Sequence, residues 1–99
     1  MKLRELAHSR TGDKGNIVNL SVIAYREQDF PLLLEKVTEA RVRDHFKDIV
    51  QGEVKRYLLP NIHAMNFVLY EALGGGVTRS LALDKHGKSL SSALLDMEI

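Results

Sequence analysis

The segment Ile17-Val18-Asn19-Leu20-Ser21-Val22-Ile23-Ala24-Tyr25, residues 17–25, decides the fold because it carries the clearest strand pattern of the chain. Its β-branched residues favour extended backbone, and side chains alternate between the two faces of a strand. The residues predicted to face the core are Val18, Leu20, Val22 and Ala24. The residues predicted for the opposite, mixed face are Ile17, Asn19, Ser21 and Ile23. We therefore expect a sheet with one face against the core.

A strongly polar stretch precedes this strand: His8-Ser9-Arg10-Thr11-Gly12-Asp13-Lys14-Gly15-Asn16. A hairpin needs only about two to five turn residues, so we expect a longer loop here that forms a site. Glycine lets a ligand approach the backbone, successive N–H groups can bind an anion, and Arg10 and Lys14 add positive charge. The expected ligand-binding residues of this loop are Arg10, Gly12, Lys14, Gly15 and Asn16. The alternative is a surface hairpin loop with solvated charges.

Two residues of the same stretch are candidates for proton transfer. His8 can act as a general base near neutral pH, and Asp13 can act as a base or a metal ligand. The alternatives are a polar histidine at a strand end and an ordinary turn aspartate. His8 and Ser9 are not expected to form a catalytic pair, because neighbouring strand residues point to opposite faces. No other carboxylate or histidine lies at a recognisable ligand spacing, so no metal site is expected.

The rest of the chain intermixes helix and strand patterns. Pro31 suits the first turn of a helix that Asp29 precedes, and Thr38 can cap a second helix. The other predicted elements are strands over residues 2–8, 53–59 and 77–83, a helix from Asn61 that Gly74-Gly75-Gly76 ends, and a short helix after Ser89, for which a strand is the alternative. The order β-β-α-β-α-β predicts an α+β domain with a mostly antiparallel sheet and helices on one face.

A second group of candidate ligand-binding residues follows the break at Pro60. Asn61, His63 and Asn66 would lie near the N-terminus of the predicted helix, where backbone N–H groups favour anions. The alternative is a helix cap followed by exposed polar side chains.

The glycine run at residues 74–76 is longer than a helix stop requires. Gly74, Gly75 and Gly76 are therefore expected to allow the close passage of another chain segment, a subunit or a ligand. Arg79 can point to the same place. The remaining histidines, His45 and His86, lie among charged or turn residues and are expected in solvent.

Length and composition limit the classes of protein to consider. The chain has 99 residues, which suits one domain, and its formal net charge is +1. So small an excess of positive charge argues against nucleic-acid and anionic-membrane partners. The sequence has no cysteine, which excludes disulfides, thiolate nucleophiles and zinc–sulfur sites. No apolar run approaches the roughly 20 residues of a membrane span and no signal peptide is visible, so we expect a cytoplasmic protein.

Four segments of the chain resemble the C-terminal domain of the acyclic terpene utilisation family, AtuA. They are His8 to Asn16, Arg56-Tyr57-Leu58-Leu59-Pro60-Asn61, Asn66-Phe67-Val68-Leu69 and Ala72-Leu73-Gly74-Gly75-Gly76-Val77-Thr78-Arg79-Ser80-Leu81. The S-R-(S/T)-G-D-K-G-N pattern and the A-L-G-G-G segment are fairly specific to that family, and the resemblance covers almost the whole chain.

The resemblance implies a ferredoxin-like two-layer α+β sandwich, with a sheet of about four strands and helices on one face. In longer relatives a large N-terminal domain precedes this one, so a large subunit resembling that domain is an expected partner. The family is associated with the catabolism of acyclic terpenoids and branched acids as coenzyme A thioesters. Such a thioester is the expected substrate, and no cofactor is expected. No catalytic role is carried over from the family.

Two functions follow from these observations. The first is an accessory domain or small subunit of an acyl-CoA-metabolising enzyme, in which the glycine loop holds an anionic group. The alternative is a non-catalytic assembly module without a small-molecule ligand. In that alternative the chain forms a homo-oligomer through the glycine run and the outer sheet face, where Ile17 and Ile23 supply apolar area.

Overall fold

The structure of the chain, a computed structural model, describes residues 1–14, 17–47, 50, 52–71 and 90–99. Within those residues it contains five strands and three α-helices. The strands are β1 (Ala7–His8), β2 (Thr11–Lys14), β3 (Ile17–Ala24), β4 (Val54–Leu59) and β5 (Ala64–Tyr70). The α-helices are α1 (Phe30–Lys36), α2 (Glu39–His45) and α3 (Leu90–Leu95). Short 3₁₀ turns occupy Leu3–Glu5, Glu27–Asp29 and Pro60–Ile62.

The strands form one antiparallel sheet. β3 and β5 are its central strands, β4 pairs with the far side of β5, and β1 and β2 both pair with β3. The pairs Ala7↔Ala24 and Thr11↔Leu20 belong to one register, so β1 and β2 are two parts of a single edge strand. Over the described residues the sheet is therefore four strands wide, with this strand at its edge, which confirms the predicted antiparallel sheet of about four strands.

The helices cover one face of this sheet, and one core fills the space between the layers. The inward residues of the central strands are fully buried except Ala24, which is half-buried, and the three helices supply apolar side chains against them. The core includes Val18, Leu20, Val22, Met65, Phe67 and Leu69 from the sheet and Phe30, Leu33, Val42, Leu90 and Leu94 from the helices. This arrangement confirms the predicted two-layer α+β sandwich. We call the side of the sheet opposite the helices the outer face.

The two helices after β3 begin close to where the sequence predicts. α1 carries Pro31 in its first turn, and Asp29 occupies the N-cap position without a side-chain capping bond. α2 is capped by Thr38, whose Oγ1 accepts a hydrogen bond from the Arg41 N–H at 3.2 Å. A capping hydroxyl satisfies one of the N–H groups that a helix leaves unpaired at its start.

The segment after Pro60 is a strand, so the helix predicted from Asn61 is wrong. Pro60–Ile62 form one 3₁₀ turn, and His63 then takes a left-handed conformation with a φ of 53°. β5 follows and pairs on both sides, with β3 and with β4. The order β-β-α-β-α-β is corrected with it, because β4 and β5 form a hairpin with no α-helix between them.

The first residues of the chain pack against its last ones. Leu3 is fully buried in a 3₁₀ turn, where the sequence predicts a strand over residues 2–8. The Leu3 N–H donates to the Met97 carbonyl at 2.9 Å, which ties the N-terminal segment to the residues that follow α3. α3 itself confirms the short helix predicted after Ser89. Ser89 and the strand predicted over residues 77–83 lie outside the described residues.

Gly52 is needed because two backbones pass close to each other at the start of β4. Its N–H donates to the Tyr70 carbonyl at 3.0 Å. A Cβ at residue 52 would lie 2.5 Å from that carbonyl oxygen, a distance that real side chains do not reach. Glycine therefore lets the chain enter the sheet beside the end of β5.

Candidate functional site on the outer face

The polar stretch that the sequence assigns to a long loop is mainly an edge strand. β1 and β2 pair with β3 as far as Lys14, which lies opposite Ile17. Only Gly15 and Asn16 separate these paired residues, and both lie outside the described residues, so the predicted long loop is wrong. An edge strand tolerates polar side chains because one of its long sides has no strand to pair with.

Arg10 lies between β1 and β2, where a side-chain hydroxyl takes the place of a backbone carbonyl in the hydrogen bonding to β3. Its carbonyl accepts a hydrogen bond from the Ser21 N–H at 3.0 Å, while its own N–H donates to Ser21 Oγ at 2.9 Å. Strand alternation places the exposed Arg10 side chain on the outer face. None of the ion pairs within the described ranges includes Arg10, so its charge is uncompensated there.

A polar row crosses the middle of the outer face. Arg10, Ser21 and Asn66 occupy neighbouring positions on the edge strand, β3 and β5. Asn66 Nδ2 also donates to Oδ1 of Asn19 at 3.2 Å. Asn19, Ser21 and Asn66 are half-buried, so their amide and hydroxyl groups are held in place on the sheet. The row therefore presents fixed hydrogen-bonding groups beside the exposed Arg10 cation.

Gly12 leaves open space on the same surface. It pairs with Asn19 in β2, and a Cβ at this position would meet no atom of the described residues within 4 Å. The packing of those residues therefore does not require a glycine there, and the missing side chain exposes backbone close to Arg10. Arg10, Gly12 and Asn66 are the predicted ligand-binding residues that the structure brings together on the outer face.

His8 also lies on the outer face, and its ring stacks on that of Tyr25. The two ring centroids are 5.4 Å apart and the rings are inclined by 24°. In the part of the chain that the structure describes, no carboxylate forms an ion pair with His8. Ser9 points the other way, and its Oγ is buried with no hydrogen-bond partner among the described residues. His8 and Ser9 therefore lie on opposite faces of the edge strand, as alternation predicts.

Replacing Ser9 by alanine is expected to leave the free energy of unfolding unchanged or to raise it by about 1 kcal/mol. The substitution removes a buried hydroxyl that makes no hydrogen bond. Urea denaturation measures the change, with Ser21→Ala as the control. Because Ser21 Oγ accepts from the Arg10 N–H, its loss is expected to cost about 1 kcal/mol. A cost for Ser9→Ala as large as that control would contradict the expectation.

The structure separates the second predicted group, which consists of Asn61, His63 and Asn66. Asn61 is exposed in the 3₁₀ turn, and the His63 ring lies 6.1 Å from the ring of Phe30, at the start of α1. His63 Nε2 lies 3.9 Å from Glu27 Oε2. His63 therefore faces the 3₁₀ turn Glu27–Asp29 and the start of α1, and only Asn66 of this group lies on the outer face.

The remaining candidates lie on β2, on α2 or outside the described residues. Asp13 and Lys14 lie in β2, paired with Val18 and Ile17. Predicted residues outside the described part of the chain are Gly15, Asn16, Gly74, Gly75, Gly76, Arg79 and His86. His45, expected in solvent, is exposed but has its Nε2 2.7 Å from the Ala93 carbonyl, so it also links α2 to α3.

Sequence reasoning missed Asn19, Ser21 and Tyr25 as members of a site. Two signals in the sequence point to them. Alternation already places Asn19 and Ser21 opposite the core, and the dipeptide Gly15-Asn16 before a β-branched run is typical of a two-residue hairpin turn. Read together, these signals predict that residues 8–14 pair with β3 and share its outer face.

Two further observations concern the described residues as a set. No three side chains of histidine, aspartate or glutamate come together there in a way that could hold a metal ion. None of the helices there has the length and apolar character needed to cross a membrane.

Comparison with known proteins places the chain in a family. A family model described as the AtuA ferredoxin-like domain matches residues 1–99, the whole chain. A search of curated proteins and a search of solved structures found no match. The family match includes every strand of the sheet and all three described helices, and it agrees with the resemblance carried by the four sequence segments. The chain therefore belongs to the AtuA ferredoxin-like domain family.

Proposed function

We propose that this chain is an accessory domain or small subunit of an enzyme that metabolises coenzyme A thioesters of terpenoid or branched acids. Its outer face holds an anionic group of the thioester. One observation supports this proposal above the others: Arg10, exposed and outside every described ion pair, shares a surface with Gly12 and Asn66.

The chemistry of these residues suits a phosphate or carboxylate. A guanidinium presents paired N–H donors that match both groups, and such charge-assisted bonds are the stronger ones. Gly12 lets the ligand reach the backbone, and the Asn66 amide offers a further donor. An open sheet face is not a pocket, whereas ligand sites normally bury most of the ligand. A large subunit that supplies the opposite wall is therefore part of the proposal.

The test measures binding of a branched short-chain acyl-CoA to the tagged chain, together with any large subunit that co-purifies from its native extract. Arg10→Gln is expected to weaken binding about tenfold or more, because one charge-assisted contact is lost. Arg43→Gln is the matched control, since Arg43 is an exposed cation on α2, on the other side of the sheet. Equal affinity of the Arg10 and Arg43 variants would refute the proposal.

A second substitution tests the space beside Arg10. Gly12→Val is expected to leave the thermal unfolding temperature unchanged or raised, because valine favours a strand and a Cβ there meets no atom within 4 Å. The same substitution is expected to reduce acyl-CoA binding about tenfold by filling the surface that the ligand needs. A folded Gly12→Val protein with unchanged affinity would place the ligand elsewhere.

The alternative function, a non-catalytic assembly module, rests on the apolar residues of the same face. Ile17 is 37% exposed, and Ile23 and Val68 are half-buried on the outer face. Two copies that pack through this face would cover those side chains. Val68→Asp is then expected to convert an oligomer into a monomer in analytical ultracentrifugation. A wild-type chain that sediments as a monomer and binds acyl-CoA would contradict the alternative.

A further inference from the structure

A flat aromatic surface lies exposed at one end of the outer face. Tyr25 is 62% exposed, and its ring is stacked on His8 at 5.4 Å. The backbone beneath the ring is fixed, because the Tyr25 N–H donates to the Leu6 carbonyl at 2.9 Å and extends the pairing between the edge strand and β3. The pair is therefore a preformed platform held by the sheet, and not a side chain on a free loop.

Arg10, which forms no ion pair with the described residues, lies next to this platform. Arg10 follows His8 by two residues on the same edge strand, which is about 7 Å along it. Ser21 lies beside Arg10 on β3, and Asn66 comes next on β5. A ring face, a guanidinium and neutral hydrogen-bonding groups are thus within the reach of one small ligand.

We propose that this surface is a subsite for a mononucleotide, with the base stacked on the Tyr25–His8 pair and the phosphate bound by Arg10. Aromatic side chains stack on bases of any sequence, and a guanidinium binds phosphate through two parallel N–H bonds. Ser21 and Asn66 supply the polar contacts for the ribose or for the edge of the base. The inference goes beyond the proposed function, because it requires neither a thioester nor a partner subunit.

The charges of the outer face favour a mononucleotide over a nucleic-acid strand. Two lysines also occupy outward positions of the described strands. Lys14 pairs with Ile17 in β2, four residues from Arg10, and Lys55 lies on β4, where its Nζ is 3.8 Å from Glu53 Oε2, which compensates it. Lys55 is also on the opposite edge strand from Arg10. Binding of a polymer depends on several neutralised phosphates in a row, whereas one unpaired guanidinium suits one phosphate.

The experiment is a titration of the full chain with adenosine 5′-monophosphate at low salt, followed by NMR chemical shifts or calorimetry. We expect a dissociation constant in the millimolar range or below, and binding of adenosine or inorganic phosphate that is about tenfold weaker. Tyr25→Ala is expected to weaken nucleotide binding about tenfold, and Tyr25→Phe to restore it, because only the ring is needed. Arg10→Gln is expected to remove the preference for the nucleotide over adenosine.

Two matched controls make the outcome decisive. Tyr57→Ala removes an exposed tyrosine from the far edge of the same face, and Lys55→Gln removes a cation there, so both should bind within about twofold of the wild type. Equal losses for Tyr25→Ala and Tyr57→Ala, or no saturable binding of the nucleotide, would overturn the proposal. A single-stranded oligonucleotide that binds more tightly than the mononucleotide and requires Tyr57 would overturn it in favour of a nucleic-acid surface. Acyl-CoA binding that persists without nucleotide binding would refute the subsite and leave the proposed function intact.

Discussion

Replacing Phe67 by alanine is expected to lower the free energy of unfolding by about 4 kcal/mol. Phe67 is fully buried and is the largest of the fully buried side chains in the described part of the chain. It lies on β5, the strand paired on both sides, and belongs to the core between sheet and helices. The substitution removes the transfer free energy of the ring and leaves a cavity that the paired backbone cannot close. Because a domain is stable by only about 5–15 kcal/mol, the variant is expected to be partly unfolded at moderate temperature.

The control for this prediction is the next residue along the strand. Val68 lies on the outer face and is half-buried, so Val68→Ala is expected to cost less than about 1 kcal/mol. Urea denaturation of both variants measures the contrast. The helix predicted from Asn61 would reverse this contrast, because helical spacing places Val68 on the apolar side of that helix and Phe67 away from it. A larger loss for Val68→Ala than for Phe67→Ala would therefore contradict the strand.

The misassignment of β5 shows what a single sequence can and cannot determine about this fold. β3 alternates apolar residues with Asn19 and Ser21, so its period of two is visible and its burial is confirmed. β5 is apolar at Ala64 and Val68 as well as at its inward positions, so helical and strand spacing fit equally well. What decides the outcome is pairing with β3 and β4, a long-range interaction that overrides local propensity.

Some residues of the candidate site were predictable from the sequence, but its geometry was not. The density of polar groups at residues 8–16 draws attention to Arg10 and Gly12, and a separate signal selects Asn66. Their meeting on one surface depends on the register of β1, β2 and β5 with β3, which the predicted long loop and helix do not contain. Once residues 8–14 are an edge strand, alternation alone brings these side chains to the same face.

Arg56→Ala is expected to lower the free energy of unfolding by about 2 kcal/mol, the second largest effect. The Arg56 Nη1 donates to the carbonyls of Leu34 and Val37, at 2.8 Å each, and the guanidinium is partly buried. These carbonyls lie at the C-terminal end of α1, where a helix leaves its acceptors unpaired and favours positive charge. A charged donor contributes about 1.5–3 kcal/mol per bond, and partial exposure reduces the sum. The cost arises because the two carbonyls lose their donor at a position that water reaches only in part.

Two further variants separate this role from a general effect of charge. Arg56→Lys keeps the charge, but its shorter side chain and more strongly hydrated ammonium replace Nη1 only in part, so it is expected to recover about half of the lost free energy. Lys55→Ala removes the adjacent cation, which is half-exposed on the opposite face of β4, and is expected to change stability by less than about 0.5 kcal/mol. If Arg56→Ala and Lys55→Ala were equally mild, α1 would be held by its buried Phe30 and Leu33 alone. If Arg56→Lys were as stable as the wild type, one bond to the helix end would suffice, and the position would need only a positive charge.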